Sequence, residues 1–164
     1  MSIPKGIRVR STPDWFTQFL STGGAYIDSV PNQYIYVSLY NDSKRGAFLF
    51  VYAVYPIAGD SIIAPAFLIQ GTIGSQTGVG SRVNPSIGAP PGQIYLAQNG
   101  ASAIVATLTS VMGIAFASGA LSLAPLFIIP PGQSLVMGGQ GADGEYGCGF
   151  WYIPFLDSQG RNPA

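Results

Sequence analysis

The stretch Leu126–Pro154, LFIIPPGQSLVMGGQGADGEYGCGFWYIP, decides the fold. A short apolar run, Leu126 to Ile129, stops at Pro130-Pro131-Gly132, which continues neither a strand ladder nor a helix. A second run, Ser134 to Met137, places Leu135 and Met137 on one face. The third, Glu145 to Ile153, alternates Tyr146, Cys148, Phe150 and Tyr152 with Gly147, Gly149, Trp151 and Ile153. Period two, aromatic and β-branched content, and Gly/Pro punctuation all predict strands. The Pro-Pro-Gly-Gln device also occurs earlier, at Pro90–Gln93 before Ile94-Tyr95-Leu96. The fold class is all-β: an antiparallel β-sandwich or jelly roll with an extended N-terminal arm.

Working outward, Tyr34 to Tyr40 (YIYVSLY) is a strand with Ile35, Val37 and Leu39 on one face and Tyr34, Tyr36, Ser38 and Tyr40 on the other. Asn41 to Gly46 is expected as a polar hairpin connection to Ala47–Tyr55, whose two apolar faces mark a central strand or one lying against another subunit. Gly59-Asp60-Ser61 turns the chain and Phe67–Ile73 is a further strand. The stretch 74–92 is poor in large apolar residues and reads as a long surface loop. Asn99-Gly100 is expected as a two-residue hairpin turn between Ile94–Ala97 and Ala103–Leu108, with more strands at Val111–Phe116 and Leu121–Leu123.

The uncharged span Ala103–Ile129 is long enough to be weighed as a membrane segment. Its Thr and Ser residues, the breakers Gly113, Gly119 and Pro125, and the lack of flanking Lys or Arg favour strands instead. Residues 1–25 form an N-terminal arm and anchor. Pro4 and Pro13 exclude a long helix, Ile7 and Val9 alternate with Arg8 and Arg10, and Trp15 to Leu20 allows a helical turn stopped by Gly23-Gly24. Residues 26–164 are the sandwich domain. The opening Ser2-Ile3-Pro4-Lys5 lacks the apolar region of a secretory signal.

Only 9% of the 164 residues are charged, against roughly 25% in ordinary globular chains. Seven basic residues balance seven acidic ones, and no charge falls between Arg82 and Asp143. Such a chain has too few solvating groups to cover its own surface, so an oligomer or a larger assembly is expected. No global field draws nucleic acid or an anionic membrane, and neither is an expected partner.

Catalytic signals are sparse. No histidine is present, which removes the commonest general base, the Ser-His-Asp arrangement and His-ligated metals. Gly139–Gly144 fits G-x-G-x-x-G, but a strand follows where that motif needs a helix N-terminus. Asp143 and Glu145 are a close acidic pair without partner ligands, and Cys148 sits in an apolar alternation that makes an inert thiol. No enzyme activity, cofactor or metal is expected. Asn41-Asp42-Ser43 is a glycosylation triplet that matters only after secretion.

The run Phe127–Leu135 (FIIPPGQSL), taken with Tyr34–Asn41 (YIYVSLYN) and Phe50–Val54 (FVYAV), resembles virion proteins of tailed bacteriophages. The likeness is to the small β-sandwich or jelly-roll proteins that decorate capsids or form parts of tails. It implies a homotrimer, a virion location at sites where capsomers meet, and synthesis in the host cytoplasm without a signal peptide. The expected function is a capsid decoration (cement) protein whose partners are itself and a major capsid or other virion protein. Lys5, Ile7, Arg8, Val9, Arg10, Trp15 and Phe16 of the arm are then the candidate contacts to shell or subunit. The alternative is a tail or fibre module that binds a host glycan or receptor through Arg82, Asn84, Tyr26 and Trp151, with Tyr34 and Tyr36 as further surface aromatics.

Overall fold

The computed structural model describes residues 19–29, 33–58, 62–100, 111–116, 125–140 and 144–155. Eleven strands follow one another there: β1 (Ser21–Ser29), β2 (Gln33–Asn41), β3 (Phe48–Ala58), β4 (Ile62–Gln70), β5 (Ser75–Val79), β6 (Ser81–Arg82), β7 (Gly92–Gly100), β8 (Val111–Phe116), β9 (Phe127–Ile129), β10 (Gln133–Gln140) and β11 (Gly144–Phe155). A 3₁₀ turn, Pro85–Ile87, lies between β6 and β7. Every pairing is antiparallel, in a five-stranded sheet β6-β1-β11-β3-β9 and a six-stranded sheet β5-β7-β2-β10-β4-β8.

The pairing follows one rule. β1 lies beside β11, β2 beside β10, β3 beside β9 and β4 beside β8, so the chain is a long hairpin rolled into two sheets. That path is a jelly roll, in which β1 to β4 alternate between the sheets and β8 to β11 do the same. β5, β6 and β7 are an insertion between β4 and β8 that extends both sheets on the same side, β7 against β2 and β6 against β1.

Period-two alternation sends one side chain set of each strand between the sheets. Val37 and Leu39 of β2, Leu135 and Met137 of β10, Ala66 of β4 and Ile94 of β7 meet Leu49, Val51 and Val54 of β3, Phe127 and Ile129 of β9, and Cys148, Phe150 and Tyr152 of β11. A second apolar cluster covers the other face of the six-stranded sheet. There Tyr36, Phe67, Ile69, Ala97 and Val136 are buried with Ile73 packed on them. The outer face of that sheet is therefore buried at these positions of β2, β4, β7 and β10.

Several expectations change. The polar segment Asn41–Gly46 is a crossover between sheets, because β2 and β3 do not pair. Asn41 holds it: its buried Nδ2 donates to Ala47 O (2.7 Å) and Ile129 O (2.8 Å), while its Oδ1 accepts from Ser43 N (3.0 Å). A residue so enclosed is no glycosylation acceptor in the folded chain. The two Pro-Pro-Gly-Gln motifs flank this residue from either side, as Asp42 N donates to Pro91 O and Gly132 N donates to Asn41 O. Their backbones differ. Gly132 is left-handed (φ 79) within a turn closed by Gln133 N to Pro130 O, whereas Gly92 starts β7 without positive φ.

Gly23-Gly24 lies inside β1, which starts at Ser21 just after helical Phe19, so the sandwich includes residues 21–25 of the expected arm, while residues 15–18 of the expected helical turn lie outside the described residues. A Cβ on Gly24 would stand 2.5 Å from the Cys148 carbonyl oxygen, so the close approach of neighbouring backbone explains the glycine. The expected loop 74–92 is built largely as β5, β6 and the 3₁₀ turn. β4 ends at Gln70, with Ile73 in the connection that follows. Asn99 and Gly100 are no turn: they continue β7 opposite Tyr34 and Gln33. The strand expected at Val111–Phe116 is present as β8, and no described helix is long and apolar enough to cross a membrane. Gly59–Ser61, Ala103–Leu108 and Leu121–Leu123 lie outside the described residues.

Candidate functional site

The outward face of the five-stranded sheet is only partly open, since Ile153 and Ala53 on it are buried. By register, Thr22, Gly24 and Tyr26 of β1, Gly147, Gly149, Trp151, Ile153 and Phe155 of β11, Phe48, Phe50, Ala53 and Tyr55 of β3, and Ile128 of β9 share it. Tyr26 (58%), Ile128 (49%), Ile57 (42%) and Phe48 (38%) are four of the seven large apolar side chains that stay exposed among the described residues. Val79, Val83 and Leu126 are the other three.

Local sequence explains why this face is level. Glycines of β11 and β1 let side chains from the neighbouring strands lie close across it. A Cβ on Gly149 would meet the Tyr55 ring at 2.3 Å, one on Gly147 would meet Tyr26 Cβ at 2.3 Å, and one on Gly24 would meet Ile57 Cδ1 at 2.5 Å. β3 carries an extra residue at Ile57 and another at Tyr52 relative to β11; such bulges re-aim side chains. Tyr55 and Trp151 stack at 6.2 Å with planes tilted by 39°, and Phe50 and Phe155 at 5.3 Å and 31°. Tyr55 is fixed further by a 2.8 Å hydrogen bond between its hydroxyl and Thr22 Oγ1. Asp28 and Glu145 occupy opposed register positions at the end beyond Tyr26. Chemically the patch offers rigid rings, few polar atoms and no acid–base pair.

Of the residues singled out from sequence, Tyr26 and Trp151 share this face, four register positions apart. Arg82 and Asn84 do not join them. Arg82 opposes Ser21 in the β6–β1 pair, on the inward side with Tyr152, and is buried at 9% exposure. Its guanidinium lies 5.6 Å over the Phe19 ring, and its Nε and Nη1 have no hydrogen-bond partner. Burial pushes Arg82 below its ordinary pKa, an effect eased by the Tyr152 phenol. Asn84 accepts a hydrogen bond from Ser86 N and caps the 3₁₀ turn. Tyr36 is buried on the opposite sheet. Lys5, Ile7, Arg8, Val9, Arg10, Trp15 and Phe16 lie outside the described residues.

Phe48, Tyr55, Ile57 and Ile128 were not singled out from sequence. The signal was present in the two apolar faces of Ala47–Tyr55, but choosing the open face required the strand order.

Tyr152 is the other buried polar group of note. Its hydroxyl sits against Gly80 and Gly92 without a partner, and burial raises its pKa, opposed in part by the Arg82 charge. Cys148 is fully buried and burial raises its thiol pKa, which suits packing rather than nucleophilic chemistry. No group of three or more His, Cys, Asp or Glu that would hold a metal occurs among the described residues. No protein family, curated protein or solved structure matches the chain.

Proposed function

We propose that this chain is a non-enzymatic structural protein of a virion, a decoration protein that self-associates and stabilises a phage head. The observation that carries the proposal is the level, aromatic outer face of the five-stranded sheet in a chain with only 9% charged residues. The exposed apolar side chains Tyr26, Phe48, Ile57 and Ile128 on it suit contact with protein. Jelly rolls serve in capsids and in lectins alike, so fold alone selects neither. The arm residues Lys5, Arg8 and Arg10 supply the charge that orients docking on the shell. Clamping neighbouring capsomers is the mechanical role, with buried apolar area contributing about 25 cal/mol per Å² before association costs.

The test is direct. Gold-labelled chain imaged on particles should decorate the head lattice, and deletion of residues 1–14 should abolish attachment while leaving the sandwich folded. Unlabelled heads, or particles whose heat resistance is unchanged without the chain, reject the proposal.

A second reading, a host-glycan module of a tail or fibre, is favoured by one observation: Tyr26, Tyr55 and Trp151 present rings on the same face. Aromatic faces stack on sugars, so Trp151→Ala would then abolish glycan binding while deletion of residues 1–14 would not.

A further inference from the structure

We propose that the open flank of the sandwich beside β9 takes the N-terminal arm of a second copy of this chain as an added strand, with Ile7 and Val9 seated in the cavity there. The inference rests on the assembly role proposed above and names how the copies join.

The two sheets are unequal at this flank. β1 lies over β7 and β9 lies over β10, so β4 and β8 carry the six-stranded sheet past the end of the five-stranded one. Among the described residues β9 is the last strand of its sheet, and it spans only Phe127–Ile129. In the step between them lies a cavity of about 300 Å³ whose lining side chains are all apolar. Ala66, Leu68 and Leu135 of the six-stranded sheet line one side and Phe127 the other, with the exposed Leu126 and Ile128 at its mouth.

A strand added to β9 would run ~4.8 Å beyond it and ~10 Å above β4, so alternate side chains would point at Ala66 and Leu68. That is the position of the strand the smaller sheet lacks. An edge strand beside an apolar pocket is how a sheet accepts an extended segment, the ladder giving affinity and the pocket specificity.

The arm has the matching pattern. Ile7 and Val9 alternate with Arg8 and Arg10, so an extended segment there has one apolar side and one charged side. The cavity has room for about ten water-sized groups at ~30 Å³ each, enough for two branched side chains. Arg8 and Arg10 would face outward, where the shell is met. A neighbouring copy is the donor because of where the arm leaves. Phe19, the first described residue, lies over Arg82 at the β6–β1 edge, the flank opposite β9. The chain's own groove is a sheet width away, about 19 Å at ~4.8 Å per strand. A copy standing flank to flank brings its Phe19 directly beside the groove.

Sedimentation equilibrium and engineered disulfides on the full chain test this. The wild type should be oligomeric at micromolar concentration. Ile7→Asp/Val9→Asp should weaken association about 100-fold or more, since two buried apolar side chains are lost from each contact. Arg8→Ser/Arg10→Ser, on the outward side, should leave association unchanged. Chains carrying Val9→Cys, refolded together with chains carrying Leu68→Cys, should form a mixed disulfide on mild oxidation, while the buried Cys148 stays reduced. Leu126→Cys, on the exposed rim, repeats the test without touching the core. A monomer at high concentration, an oligomer indifferent to Ile7→Asp/Val9→Asp, or no mixed disulfide with either partner overturns the inference. So does a disulfide that closes within the single chain Val9→Cys/Leu126→Cys and never between chains, which would assign the groove to the chain's own arm. A wild-type monomer that still labels phage heads would sink arm exchange and leave the decoration role standing. Arm-linked copies that label no particle would do the reverse.

Discussion

The Asn41 side chain, at the end of β2 in one sheet, donates a 2.8 Å hydrogen bond to the carbonyl of Ile129 on the edge strand β9 of the other. Together with its bond to Ala47 O it fastens the crossover on which the two sheets register. Asn41→Ala leaves two carbonyls without this donor and should cost about 2–6 kcal/mol, at roughly 1–3 kcal/mol per unsatisfied group. Asn41→Asp should cost more, since an ionised carboxylate in the amide's place faces two acceptors with no proton to give. Thermal unfolding by circular dichroism checks both; a melting point unmoved by Asn41→Ala refutes the assignment.

Gly80 and Tyr152 form a steric pair. A Cβ at Gly80 would lie 1.7 Å from the Tyr152 hydroxyl oxygen but 2.9 Å from Cζ. Gly80→Ala should therefore destabilise by more than about 2 kcal/mol, in the range of overpacked cores. Tyr152→Phe alone should be neutral or stabilising, because it removes a buried hydroxyl without a partner. In Gly80→Ala/Tyr152→Phe part of the loss should return, and a double-mutant cycle in urea should show coupling above 0.5 kcal/mol. Additive effects would contradict the contact.

Arg82 buries an ion whose Nε and Nη1 lack acceptors, while its stem and guanidinium pack by Phe19. Arg82→Met keeps much of the volume and removes the charge. It should leave stability unchanged or raise it by about 1 kcal/mol, as for buried ions replaced by apolar residues. A loss above 3 kcal/mol in denaturant titration would show that the guanidinium has a partner in solution.

Stability should fall in alkali. Burial raises the folded-state pKa of the Cys148 thiol above 9.0 and of the Tyr152 phenol above 10.0. Each folded group holds its proton after its unfolded counterpart has lost it, so the stabilisation is full below the unfolded pKa and declines as pH rises above it. The decline should begin near pH 9 and approach ~1.4 kcal/mol per pH unit for each group. Denaturant midpoints from pH 7 to 11 check the slope. Cys148→Ser/Tyr152→Phe should flatten it, and native Cys148 should resist thiol reagents at pH 8.

The strands were readable where alternation was strong. Val37 and Leu39, or Leu135 and Met137, take the inward side that period two assigns them. The six-residue polar run after Tyr40 looked like a hairpin because local signals report a turn and not which sheet the next strand joins. Here a buried asparagine and bonds to Pro91 and Gly132 carry the chain across. The 74–92 stretch hid its strands because β5 is exposed at Ser75, Gln76, Thr77 and Val79 and gives no apolar alternation. Of the site, Tyr26 and Trp151 were legible as surface aromatics. Arg82 was not legible as a buried group, since its neighbours Tyr152 and Phe19 lie 70 and 63 positions away in sequence.

The first-beside-last strand order also governs how the molecule is made. β1 spans Ser21–Ser29 and its nine-residue ladder is completed only by Gly144–Tyr152, so about 115 intervening residues must emerge from the ribosome before that ladder can close. Closure over such a distance is slow, and the waiting strand edge is open to the wrong neighbour. Refolding yield should therefore drop with protein concentration, and a chain supplied with β11 as a free peptide in trans should mature faster than one left to find its own.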